Sequence, residues 1–166
     1  MTNLAPYTRS MLGYNQWANE RILGAAAGLS DHEYESIAGA LSHVLGTQRW
    51  WHAAWTGGAL PAPADLPDLE AARAAYARSH EDLRAFAGGL EDSGLLRAEA
   101  WWKQWGYHGA MSIADVIAQL FFHGTQHRAE IALKLTSYRH SPGDLDYLFF
   151  KNPDLPAEAV ASVAAV

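Results

Sequence analysis

His123 and His127 stand four residues apart in the run FHGTQHRAE, Phe122 to Glu130. On an α-helix, residues i and i+4 leave the same face one turn apart. That is how a helix offers two imidazole nitrogens to one divalent cation. The same face, followed in both directions, reads Val116, Leu120, His123, His127, Ile131 and Leu135. This is an apolar stripe at helical spacing interrupted by two histidines, and it predicts that the pair faces the fold and not solvent. Spacing alone does not decide the chemistry. With 8 His in 166 residues, chance gives roughly 0.4 such pairs per chain, and two core histidines satisfied by hydrogen bonds account for the pattern as simply. A metal site needs a third ligand. The chain has no cysteine, so any metal would sit on nitrogen and oxygen, without thiolates. His43 shares a helical face with Thr47 and Trp50; taken alone, an imidazole there is more often a hydrogen-bonding group than a ligand.

The elements that must position these residues are long and helical. Leu4 to about Ala27 reads as a first helix on Tyr7, Met11, Tyr14, Trp17 and Ile22, closed by Gly28 in the left-handed cap conformation. Ser30 and Glu33 form a capping box that starts a second helix, which runs to about Thr56 and is closed by Gly57 and Gly58. Its stripe is Ile37, Leu41, Val44, Trp51 and Trp55, interrupted by Gln48. Pro61, Pro63 and Pro67 exclude a continuous helix in the following loop. Asp68 is the expected N-cap of a third helix, Leu69 to Ala87, whose charged face carries Glu70, Arg73, Arg78, Glu81 and Arg84 with His80 among them. Leu90 to Ala110 mixes three Trp with glycines and lacks periodicity, which fits a loop, a short hairpin or a lid. His108 in that stretch is read as exposed or as a supplementary group near a site. Ser112 and Asp115 open a fourth long helix that carries the histidine pair to about Tyr138. Pro142 and Gly143 break it, Asp144 to Phe150 reads as a short closing helix, and the tail after Pro153 as frayed. The whole predicts a single all-α domain over residues 1–166, a four-helix bundle with a short extra C-terminal helix.

Bulk properties narrow the function. A hydrophobic fraction of 49% suffices for one buried core. Net charge is −6 with no basic stripe on any predicted helix, which disfavours nucleic acid. No apolar run approaches membrane-spanning length, and the N-terminus MTNLAPYTRS lacks the basic and apolar regions of a secretory signal. A cytoplasmic location is the expectation.

The segments YNQWANERIL (14–23), LSHVLGTQRWW (41–51), LFFHGTQHRAEI (120–131) and SPGDLDYLFF (141–150) together resemble the DinB/YfiT-like superfamily of metal-binding four-helix bundles, which is unrelated to the DNA polymerase of the same name. The resemblance implies a ligand set of His43, His123 and His127. Ala129 stands where family members often carry Gly. The resemblance further implies one divalent ion, a stress-related role and a homodimer; imidazole ligation suits Zn²⁺ or Ni²⁺ foremost, with Fe²⁺, Co²⁺ and Mn²⁺ also able to fill such a site. Characterised relatives use the thiols bacillithiol or mycothiol. By that likeness a small thiol and its electrophile are the expected partners, with Arg128 pairing to a carboxylate of the thiol and Trp50 or Trp51 walling the pocket. Three neutral imidazoles leave the ion's double charge uncompensated, so a thiol or water in the remaining position has its pKa strongly lowered. Thiol S-transfer is therefore the first expectation. Hydrolysis by activated water, with Glu130 as the one candidate acid or base, is the second. A non-catalytic metal-binding dimer is the third.

Overall fold

The computed structural model describes residues 3–99 and 109–155. Trp101, Trp102, Trp105, His108 and the tail from residue 156 lie outside the described residues. Four long helices dominate: α1 (Leu4–Ala25), α2 (Asp31–Thr56), α3 (Leu69–Gly88) and, after the four-residue α4 (Asp92–Leu95), α5 (Ile113–Ser137); a short α6 (Tyr147–Lys151) closes the chain. α1 and α2 each pack against both α3 and α5, so α1 and α2 occupy one diagonal of the bundle and α3 and α5 the other. Two two-residue strands, β1 (Ala98–Glu99) and β2 (Met111–Ser112), pair antiparallel and bring the chain to the start of α5. Part of the stretch without periodicity is thus a helical turn and a minimal hairpin.

Local chemistry sets most boundaries. The Ser30 N–H and hydroxyl both donate to the Glu33 carboxylate at 2.8 and 2.7 Å, which anchors the start of α2. Gly57 ends α2 at φ 71°, a left-handed conformation that glycine adopts without the Cβ penalty. Asp68 accepts from Ala71 N–H at 2.8 Å, and at α5 the Ser112 hydroxyl accepts from Asp115 N–H at 3.1 Å. The first helix departs from expectation. It stops at Ala25 and continues as a 3₁₀ turn, Ala26–Gly28. Gly28 does not take the left-handed cap; it is small because the His140 ring packs where a Cβ would stand. The closing helix starts later than expected, at Tyr147. Before it, the Asp144 carboxylate accepts from Asp146 N–H and the Asp146 carboxylate from Leu148 N–H, each at 2.8 Å, so this segment is a turn that caps α6.

The core is divided. One apolar cluster gathers Ile22, Ile37, Leu41, Leu45, Tyr76, Ile131 and Leu135; the other gathers Leu12, Trp51, Trp55, Leu83, Val116, Ile117 and Leu120. Between them every long helix contributes a buried polar residue: Asn15 and Asn19 from α1, Gln48 from α2, Ser79 and His80 from α3, Arg128 from α5. His80 is therefore not among the surface charges of α3 but 4% exposed at the waist of the bundle. The buried face of α1 is likewise shifted from the aromatic stripe. Tyr7 is 56% exposed, while Thr8, Leu12, Asn15, Asn19 and Ile22 point inward. Tyr14 and Trp17 flank that face, because α6 docks its Tyr147 and Phe150 against them with ring centroids 5.4 and 5.9 Å apart.

Candidate metal centre

At the level of this polar waist, on the flank where α2 meets α5, three imidazoles converge. His43 and His123 have ring centroids 4.9 Å apart, His43 and His127 4.7 Å, and His123 and His127 4.6 Å. One ring nitrogen from each lies within 4.8 Å of the others. His43 is exposed and the α5 pair is half-buried, so the pair is not turned into the core as its stripe predicted. The reason lies on the same helix. Val116, Leu120, Ile131 and Leu135 enter the two apolar clusters, but at the waist the interior belongs to Arg128, and the histidines take the edge that faces α2.

Neighbouring groups orient the rings. Nδ1 of His127 lies 2.9 Å from the Glu130 carboxylate, an arrangement in which Nδ1–H donates and Nε2 keeps its lone pair. Glu130 is 54% exposed, so this contact orients more than it stabilises. Thr47 Oγ1 donates to the His43 carbonyl at 3.0 Å and lies 3.1 Å from Nε2 of His123, from which it accepts. Burial holds the His123 imidazole below its ordinary pKa, reinforced by His127, His43 and Arg128 and opposed by Glu130. The neutral ring is the ligating form.

The donor set fits a divalent ion with affinity for nitrogen. Two nitrogens bonded to one ion at about 2.0–2.1 Å each cannot be more than roughly 4.2 Å apart, so the ligand atoms, within 4.8 Å of one another, would have to draw slightly closer to hold it. A model of the DinB family matches residues 1–159. The chain belongs to the DinB family. No curated protein and no solved structure matches it. This DinB chain brings together the three histidines to which the resemblance pointed, as a group that could hold a metal ion.

His43 and His123 line a cleft of about 590 Å³. Trp50 and Trp51 both line it, together with Thr47, Gln119 and the loop Pro61–Pro63. That loop runs back along α2 and is pinned there: Ser42 donates to the Ala64 carbonyl at 2.6 Å, and Tyr34 donates to the Asp68 carbonyl at 2.8 Å. Arg128 lies elsewhere. It is 2% exposed, donates from Nη1 to Asn15 and Asn19 at 2.7 and 3.0 Å, and stacks over Tyr14 at 5.5 Å. Gly124 makes that approach possible, since a Cβ there would stand 2.6 Å from Arg128 Nη1. The expectation that Arg128 pairs with a thiol's carboxylate meets a guanidinium enclosed by α1 and turned from the cleft. His52 packs on Phe86 of α3, away from His43, with ring centroids 6.1 Å apart. Gln119 was not anticipated in the cleft, although its position four residues before His123 signals the same face.

Among the described residues, no helix is long and apolar enough to cross a membrane.

Proposed function

We propose that His43, His123 and His127 hold one divalent ion, Zn²⁺ or Ni²⁺, and that the protein is an enzyme that activates a small thiol for S-transfer to an electrophile. The observation that supports this reading most is the convergence of three imidazoles, two of which line a cleft, with no fourth protein ligand among the described residues. A site of that kind keeps a position for a small molecule, whereas structural sites are closed by four protein ligands. The bound ion would supply positive charge that lowers the pKa of a thiol.

The chain's own residues do the rest. Glu130 fixes the tautomer of His127, and Thr47 steadies His123. Trp50, Trp51 and Pro61 give the cleft apolar walls. The thiol proton leaves to solvent past the exposed His43. Sulfur then forms its bond to the electrophilic carbon as the leaving group departs with the bonding electrons.

Hydrolysis ranks second. It needs an acid or base on the cleft, yet no carboxylate is among the described cleft-lining residues and Glu130 is bonded to His127. The test is elemental analysis of protein purified without chelator, beside His43→Ala and His123→Ala. One ion per chain, lost in both variants, is expected. Replacement of that ion by Co²⁺ should then give a sulfur-to-metal absorption band when a thiol is added. Bound metal without that band would support the hydrolytic or non-catalytic reading; no metal after reconstitution would end both enzyme readings.

A further inference from the structure

The cleft beside the imidazoles is chemically one-sided. No Lys, Arg, Asp or Glu is among the described residues that line it. Two of its polar groups are already engaged: the Ser42 hydroxyl donates to the Ala64 carbonyl and the Thr47 hydroxyl to the His43 carbonyl. Its walls are the indoles of Trp50 and Trp51, perpendicular at 4.8 Å between centroids, and the pinned loop Pro61–Pro63. The volume of about 590 Å³ is that of a site for a small organic molecule.

Two glycines enlarge it. Gly39 and Gly46 lie in the interior of α2, seven residues apart with His43 between them, and both line the cleft. Glycine weakens a helix interior relative to alanine. Packing does not demand it at either position, since an added Cβ would meet nothing within 4 Å among the described residues. At both positions the missing side chain leaves open space on the side of α2 from which His43 projects. The metal centre aside, a charged ligand would lose hydration here without gaining a side chain of opposite sign, whereas a flat ring would gain the partly exposed Trp50 indole, which the buried Trp51 backs.

We propose that this cleft is the specificity pocket of the metal centre and that it takes an uncharged small molecule bearing an aromatic ring, the electrophile of the transfer. The assignment rests on the metal-centre reading above. Its test uses two probes with the same ring and different charge, 2-naphthol and 2-naphthoate, titrated calorimetrically into the full chain freed of metal by chelator. Metal uptake is measured separately on each protein.

The naphthol should bind at least tenfold more tightly than the naphthoate. Gly46→Leu and Gly39→Leu should each weaken naphthol binding at least tenfold while metal stoichiometry and helix content stay at the wild-type level. Equal or tighter binding of the naphthoate would overturn the proposal. So would unchanged naphthol affinity in both folded variants. Naphthol binding as expected in a chain that takes up no divalent ion would separate the two ideas: the metal centre would fall, and with it the cleft's role as its pocket.

Discussion

Two polar groups flank the same turns of α5, and they are satisfied in opposite ways. On the inner side Arg128 is enclosed, with Asn15 and Asn19 accepting its Nη1 protons and Asn19 reaching on to His80 at 3.1 Å. On the outer side His123 and His127 meet His43 with one ring nitrogen from each left to the others. The inner group takes its partners from within the fold, although Nε of Arg128 and the Gln48 amide nitrogen have none among the described residues, and it divides the core at its waist. The outer group is held by Thr47 and Glu130 but has no fourth protein ligand among the described residues. A buried polar residue supports the fold when its partners are inside, and it marks a site when its remaining valences point out of the chain.

The contrast is broken most sharply by removing one member from each side. Asn19→Leu takes away an oxygen that solvates the buried guanidinium and the amide that serves His80, and it should cost about 3 kcal/mol or more, since it leaves a buried charged donor and a buried imidazole each short of a partner. His123→Leu should change the stability of the metal-free chain by less than about 1 kcal/mol, the range for partly exposed positions outside a core network. Urea unfolding of both variants in chelator compares them. Equal losses would mean that the outer histidines are as structural as the inner cluster.

His80 gives the next largest effect. Burial lowers its pKa from 6.5 to about 4, helped by Arg84 and Arg128. Its folded pKa lies below the unfolded one, so the unfolded chain binds the extra proton first. The stabilisation is complete above pH 6.5 and is lost as pH falls from there through 4. The loss should amount to about 3 kcal/mol. His80→Gln should flatten stability over that window, which thermal unfolding across pH would record. An unchanged slope would place His80 in solvent.

Smaller effects sharpen the outer side. Glu130→Gln keeps the shape of the side chain and removes its charge beside His127; it should weaken metal affinity about 10–100-fold, the usual consequence of disturbing a carboxylate behind a ligating histidine. Competition with a chromophoric chelator measures this. Thr47→Val, which deletes the hydroxyl beside His123 and nearly preserves volume, should weaken affinity by less than about 10-fold for the same reason. A larger loss for Thr47→Val than for Glu130→Gln would show that His123, not His127, is the ring whose orientation limits the site.

Much of this was legible in one dimension. Ser30 with Glu33, Gly57, Asp68 and Ser112 with Asp115 mark helix ends because capping is a matter of a few adjacent residues. The i, i+4 spacing of His123 and His127 placed two imidazoles on one face for the same local reason. His43 entered only through the family resemblance, since nothing local says which turn of α2 will lie opposite which turn of α5.

The rest depended on packing. Helical periodicity gives a stripe but not which edge of it faces the centre, so His80 read as a surface residue and the α5 pair as a core one, whereas His80 is buried and the pair only half-buried. Arg128 read as a ligand for a distant carboxylate because its asparagine partners lie 113 and 109 residues away. The cleft, too, exists only once the Pro61–Pro63 loop has folded back and Ser42 has pinned it at Ala64. The sequence by itself determined the helices, their caps and the spacing of the two ligand-type residues on α5, all set by interactions within a turn. The tertiary structure alone decided which polar residues complete one another and which stay open, because that choice is made between residues distant in the chain and close only in the bundle.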